Sequence, residues 1–175
     1  MKFPKKEPRK KEPLDKESEM KTNQLITITD RGPEEVFSFI STPQRLAATL
    51  PAVTNLEPVE AQPVRVGTRL RESRSFLGRE FTTDKLEVRR FDRPRVFSVG
   101  MRSLGVDVET IYRLEPVGSG TRIVLTSECR GSGLGALLAP ITAWRVEAED
   151  AAHLESLKET IEREVPARAE ATLGV

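Results

Sequence analysis

From Gln24 onward the chain falls into segments with two distinct periods. Leu25-Ile26-Thr27-Ile28-Thr29 is β-branched and reads as a strand, and Asp30-Arg31-Gly32-Pro33 ends it. Pro33-Glu34-Glu35 then opens a helix, with proline and two acids in its first turn, and Val36, Phe39 and Ile40 share one face. A second short helix is predicted from Pro43 to Leu50, behind Ser41-Thr42 and stopped by Pro51. Six more strands follow by their spacing: Thr54–Glu60, Arg69–Phe76, Glu80–Arg90, Arg95–Arg102, Val106–Leu114 and Thr121–Arg130. Leu77-Gly78, Asp92-Arg93-Pro94, Leu104-Gly105 and Val117-Gly118-Ser119-Gly120 supply the tight links between them. Such short links join antiparallel neighbours, since parallel strands need a long crossover.

After Gly131-Ser132-Gly133 a single helix is predicted over about Leu134 to Glu164. Leu137, Leu138, Ile141, Trp144, Ala148, Ala151, Leu154, Leu157 and Ile161 form its apolar stripe at three- and four-residue spacing. In the strands, alternation turns Val108, Thr110 and Tyr112 inward, together with Phe97 and Met101, and with Leu125, Ser127 and Cys129. A twisted sheet of about seven strands curls toward a half-barrel, and one helix across its concave face leaves part of the width unfilled. The predicted cavity lining is Phe97, Met101, Val108, Thr110 and Tyr112, with Leu125 and Ser127 from the last strand and Ile141, Trp144 and Ala148 from the helix. A packed core, with its hydroxyls satisfied by backbone groups, fits the same periodicity.

The chain has 175 residues and 37% hydrophobic content, enough for one domain with a sizeable core. That domain is expected over 24–165. Residues 1–23 form a basic tail with no periodicity, expected to be disordered, and 166–175 a C-terminal tail. Met20 stands at the head of the patterned sequence and marks an alternative start. Residues 1–24 hold eight Lys/Arg against five Asp/Glu, leaving 20 against 22 for the rest, so the net charge of +1 hides a slightly acidic domain. A phosphate-binding face makes a domain strongly basic, so specific nucleic-acid binding is not expected. The tail reads as a solvated segment or as a basic anchor for acidic membrane or RNA. No apolar run is long enough to cross a bilayer, and the expected compartment is the cytoplasm. The lone Cys129 excludes an internal disulfide and a multi-cysteine zinc site.

The order of elements resembles the helix-grip fold of the START-like, or SRPBCC, superfamily, in particular its polyketide cyclase/dehydrase-related branch. The residues that carry the likeness are Ile28 to Phe37 (ITDRGPEEVF), Val66 to Glu72 (VGTRLRE), Leu77-Gly78-Arg79-Glu80, Phe91 to Phe97 (FDRPRVF) and Val117 to Arg122 (VGSGTR). These mark turns and strand edges, and specify fold more than activity. The resemblance implies an α+β helix-grip fold: a curved seven-stranded antiparallel sheet, two short helices after the first strand, and one long C-terminal helix across the concave face. It implies a small hydrophobic ligand such as a lipid or polyketide, with cyclisation or dehydration in some members.

For chemistry, the even face of Arg69–Phe76 carries Glu72 and Arg74, and Thr82 and Asp84 share a face with Leu86 and Val88. A two-residue turn at Leu77-Gly78 pairs Arg74 with Phe81 and breaks that parity. A three-residue loop pairs Arg74 with Thr82 and Glu72 with Asp84. The longer loop or a bulge is therefore expected, which makes Glu72, Arg74 and Asp84 the candidate catalytic set of a cyclase or dehydratase. The competing reading is a charge-compensated network at the pocket mouth. His153 is the single histidine and the carboxylates lack metal-ligand spacing, so neither a metal nor another cofactor is expected. Gly131-Ser132-Gly133-Leu134-Gly135 lacks the Gly-Lys-Ser/Thr ending of a phosphate loop and reads as a swing point between strand and helix. Three functions follow: binding of a hydrophobic molecule, the cyclase-type enzyme, and a partner-binding module using the helix face or the tail. Nothing in the pattern sets an oligomeric state.

Overall fold

The computed structural model describes residues 20–166. Of the expected tails, 1–23 and 166–175, residues 1–19 and 167–175 lie outside them, whereas Met20–Asn23 belong to a strand. The elements run β1 (Met20–Thr29), α1 (Pro33–Ile40), α2 (Pro43–Ala47), β2 (Val53–Pro58), β3 (Arg69–Phe76), β4 (Arg79–Asp92), β5 (Val96–Ser103), β6 (Val106–Val117) and β7 (Gly120–Gly131). A 3-10 turn, Gly133–Leu137, then leads into α3 (Ala139–Glu164). The sheet is antiparallel and seven-stranded, in the order β1-β7-β6-β5-β4-β3-β2. This is the expected α+β helix-grip fold.

β1 begins at Met20 because all ten of its residues pair with β7, from Met20 opposite Arg130 to Thr29 opposite Thr121. Backbone pairing takes in Met20–Asn23, whose side chains carry no strand pattern. The long helix starts at Ala139 and not at Leu134. Gly133 has φ +56°, and a Cβ on Gly135 would lie 2.3 Å from the Gly105 backbone, so the glycines serve a close crossing.

The core fills one end of the half-barrel. Val36, Phe37, Phe39 and Ile40 of α1 are fully buried against Phe97, Tyr112, Leu114, Ile123 and Leu125 of the sheet. Phe37, Phe91 and Phe97 meet edge-on with centroids 5.2–6.4 Å apart, a geometry that adds about 0.5–1.5 kcal/mol per pair beyond burial. Leu154, Leu157 and Ile161, in the C-terminal half of α3, close this core. Buried Arg31 donates to the Glu162 carbonyl (2.6 Å) and the Val165 carbonyl, tying the β1–α1 corner to the end of α3, where a cation complements the helix dipole.

The N-terminal half of α3 departs from the expected stripe. Leu154, Leu157 and Ile161 face in, but Trp144, Ala148 and Ala151 face solvent. Their places are taken by Val146, Glu149, Asp150 and His153, which turn toward the sheet. Apolar spacing alone misses this phase, because here the inward side of the helix carries polar side chains.

Candidate functional site

Between the concave sheet and the first half of α3 lies a cavity of about 500 Å³. Val99 and Met101 of β5, Val108 of β6, Leu86 of β4 and Leu56 of β2 form its apolar wall, and Ile141 and Val146 close it from the helix. Three polar groupings interrupt this lining.

The first joins Tyr112 to His153. The Tyr112 hydroxyl is 2.7 Å from His153 Nε2, and His153 Nδ1 is 2.9 Å from the Thr49 carbonyl oxygen. A carbonyl only accepts, so Nδ1 carries the proton and Nε2 accepts from the tyrosine. Burial pushes the His153 pKa below its usual value, opposed only in part by the Thr49 hydrogen bond. Burial raises that of Tyr112, and the Asp150 charge adds to this. The pair is therefore a neutral phenol and a neutral imidazole of fixed tautomer. With its proton committed, the tyrosine oxygen can still accept a hydrogen bond from a ligand.

The second is an ion-pair chain. Arg74 bonds to Glu72 and, at 2.8 Å, to Glu149 of α3, whose other oxygen lies 3.4 Å from Arg145. Burial disfavours the Arg74 charge, but the two carboxylates more than offset it, so its pKa lies above the ordinary value. Glu72 is 7% exposed and faces the cavity because Leu56 of β2 and Thr83 of β4 flank it in register. Of the two expected devices, the structure has the bulge and not the longer loop: the β3–β4 link is the two-residue turn, pairing Phe76 with Arg79 and Arg74 with Phe81, and the bulge lies between Leu70 and Glu72. The bulge restores parity for Leu86 but leaves Thr83, not Asp84, beside Glu72. Asp84 is exposed and outside the cavity.

The third centres on Asp150, which is 7% exposed on the inner face of α3. Asn23 of β1 donates to it at 3.2 Å, and Ser127 of β7 also bonds to it. The Ser127 hydroxyl is 3.3 Å from that of Thr110. Burial pushes the Asp150 carboxyl up; the bonds from Ser127 and Asn23 pull it back in part, and Glu149 and Glu147 push it further up. A buried carboxyl that holds its proton beyond the ordinary range, beside a phenol, can exchange a proton with a bound molecule.

Of the expected lining, Met101, Val108, Thr110, Tyr112 and Ile141 border the cavity, as do Glu72 and Arg74. Phe97 and Leu125 lie in the packed core, and Ser127 reaches the site through Asp150 and Thr110. Trp144, 70% exposed, and Ala148 lie on the outer face of α3. Asp150, Glu149 and the inward placement of His153 were not foreseen. Asp150 stands four and seven residues before Leu154 and Leu157, so an acid in phase with the buried end of the stripe was the available signal. Buried Cys129 packs with Val106 and Ala139. Among the described residues no cluster of three His, Cys, Asp or Glu side chains could hold a metal ion.

The same fold recurs in known structures. The chain superposes on Ara h 8.0201 with a TM-score of 0.66 at 15% identity, over 82% of this chain and 98% of that one. The Zhui aromatase/cyclase of Streptomyces sp. R1128 gives 0.65 at 19% identity, over 90% and 100%. A point mutant of norcoclaurine synthase from Thalictrum, complexed with a transition-state analogue, gives 0.58 at 16%, over 82% and 95%. At these identities the likeness is one of fold. No curated protein matches the sequence. The model of one family, described as polyketide cyclase / dehydrase and lipid transport, matches residues 20–162, nearly the whole described chain, and the protein belongs to that family.

Proposed function

We propose that this protein binds, and transports or sequesters, one small hydrophobic molecule such as a lipid or polyketide that carries a polar group. The observation behind this reading is the cavity of about 500 Å³, with an apolar wall around Val99, Met101 and Val108 and hydrogen-bonding groups at Tyr112, His153 and Asp150. Its size falls in the range of about 300–1,000 Å³ usual for small-molecule sites. The apolar body would lie against Val99, Met101 and Val108, and its polar group would meet Tyr112 or Asp150. The cytoplasm is the compartment we assign, on the single cysteine.

Native mass spectrometry of the purified protein tests the reading, together with titration of an environment-sensitive hydrophobic fluorophore. A co-purified lipid-like mass, and loss of fluorophore uptake in Val108→Trp, are the expected results. No bound mass, with equal uptake by the wild type and the filled variant, would refute it.

A second reading is a cyclase- or dehydratase-type enzyme, favoured by the raised carboxyl of Asp150 close to Tyr112. Asp150 then takes the acid–base place first given to Asp84, with Arg74 and Glu72 positioning the substrate. Turnover of an added polyketide that survives Asp150→Asn unchanged eliminates this version.

A further inference from the structure

Several of the exposed large apolar side chains gather at one end of the sheet, away from Ile26 and Ile28 of β1 and Val66 of the β2–β3 link. The β3–β4 turn, the β5–β6 turn, the end of β7 and the start of β1 share that end because the strands alternate in direction. The β3–β4 turn exposes Leu77 (87%) and the β5–β6 turn exposes Leu104 (82%). The approach to α3 adds Leu137 (74%), and the first turns of α3 add Ile141 (63%) and Trp144 (70%). Ile141 also lines the cavity, so this apolar rim borders its mouth.

Local structure gives no reason for the two leucines. Leu77 has φ +50° and Leu104 φ +51°, each followed by a glycine at positive φ. Such two-residue turns favour Asn-Gly, since a bulky side chain in the left-handed region is strained. Both side chains stand in water and make no compensating contact with the core. Two unrelated turns thus carry the same unfavourable residue, on the same rim, where an apolar partner would offset its cost.

The charge around the rim points to the nature of that partner. Lys21, Arg79 and Arg102 lie at this end, and none of the three forms an ion pair among the described residues. The chain before Met20 joins the domain here too, and residues 1–19 hold seven Lys/Arg against five Asp/Glu, with six of the seven within residues 2–11. Apolar tips ringed by unpaired cations match a bilayer whose headgroups are anionic, where leucine and tryptophan enter the acyl boundary and cations stay at the phosphates. We infer that this rim docks the protein on an anionic lipid surface with the cavity mouth against the membrane.

Trp144 is the sole tryptophan, so its emission reports on the rim directly. The full-length protein is mixed with vesicles of phosphatidylcholine alone, or of equimolar phosphatidylcholine and phosphatidylserine. Co-sedimentation with the anionic vesicles and a blue shift of Trp144 emission are expected, both weakened by salt. Leu77→Asn combined with Leu104→Asn, which suits the turns, is expected to lower vesicle affinity at least about tenfold. Its unfolding midpoint should not fall, and its fluorophore uptake should be unchanged. Absence of a shift with either vesicle, wild-type affinity in the double variant, or a shift that follows protein concentration without vesicles would each overturn the inference. The last outcome would assign the rim to a second copy of the chain. Uptake is measured separately, so vesicle binding can fail while cavity binding stands.

Discussion

The Tyr112 hydroxyl donates to Nε2 of His153 at 2.7 Å, across the seam between β6 and α3. The histidine is anchored on its far side by Thr49, the residue after α2 and its cap. One imidazole therefore pins three separate elements around the inner end of the cavity. Removing the phenol oxygen leaves a buried acceptor without a donor, at a cost of about 1–3 kcal/mol. Tyr112→Phe is expected to lower stability by that amount in chemical denaturation, and Tyr112→Phe with His153→Leu to recover part of it.

The same histidine makes stability depend on pH. Its pKa is lower in the folded protein than in the unfolded chain, so unfolding takes up a proton as the pH falls. The neutral imidazole contributes fully above the unfolded value of about 6.5, and the contribution is lost as the pH drops below it toward the folded value. Thermal melts between pH 7.5 and pH 5.5 should show a falling Tm, with a shallower slope in His153→Gln. Equal slopes would contradict the buried neutral ring.

Asp150 acts in the opposite sense. Its folded pKa is raised, so the folded protein holds a proton that the unfolded chain releases, and stability declines as the pH rises through the folded value. Asp150→Asn removes the buried charge and keeps an oxygen for Asn23. The variant should melt above the wild type at pH 8, and the gap should narrow toward the acid range. A gap that widens on acidification would rule out the raised carboxyl.

The crossing of Gly105 and Gly135 sets the position of the rim. A methyl group on Gly135 would meet the Gly105 backbone at 2.3 Å, and neither chain has a flexible side chain there to yield. Gly135→Ala should cost about 1–3 kcal/mol and raise protease sensitivity in 131–138. Gly133→Ala meets no atom within 4 Å and carries only the strain of its positive φ, so it should cost less.

Much of the fold was legible because it rests on short-range chemistry. Alternation in Val106–Leu114 assigned Val108, Thr110 and Tyr112 to one face, and the structure pairs them with Cys129, Ser127 and Leu125 on that face. The Leu-Gly turns at 77–78 and 104–105 set the antiparallel order, and Pro33 and Pro43 opened the first two helices, although α2 ends at Ala47 and not at the Leu50 expected before Pro51. The site was legible only in part. Glu72 and Arg74 follow from alternation within one strand, but Asp84 depends on where β4 absorbs its bulge, and no local signal places a bulge between Leu70 and Glu72. Trp144 and Asp150 were exchanged for a related reason. Apolar spacing describes a helix that faces hydrophobic neighbours throughout, whereas α3 passes over the cavity before it reaches the core.

The amino-acid sequence by itself determined the strands, the helices, the antiparallel connections and the family, because dihedral preference and side-chain period act over a few residues. Only the tertiary structure decided that Asp150, His153 and Glu149 face the cavity and that Asp84 does not. Strand register and helix rotation are settled by contacts between distant segments, such as Asn23 with Asp150, 127 residues apart, and no local pattern encodes them.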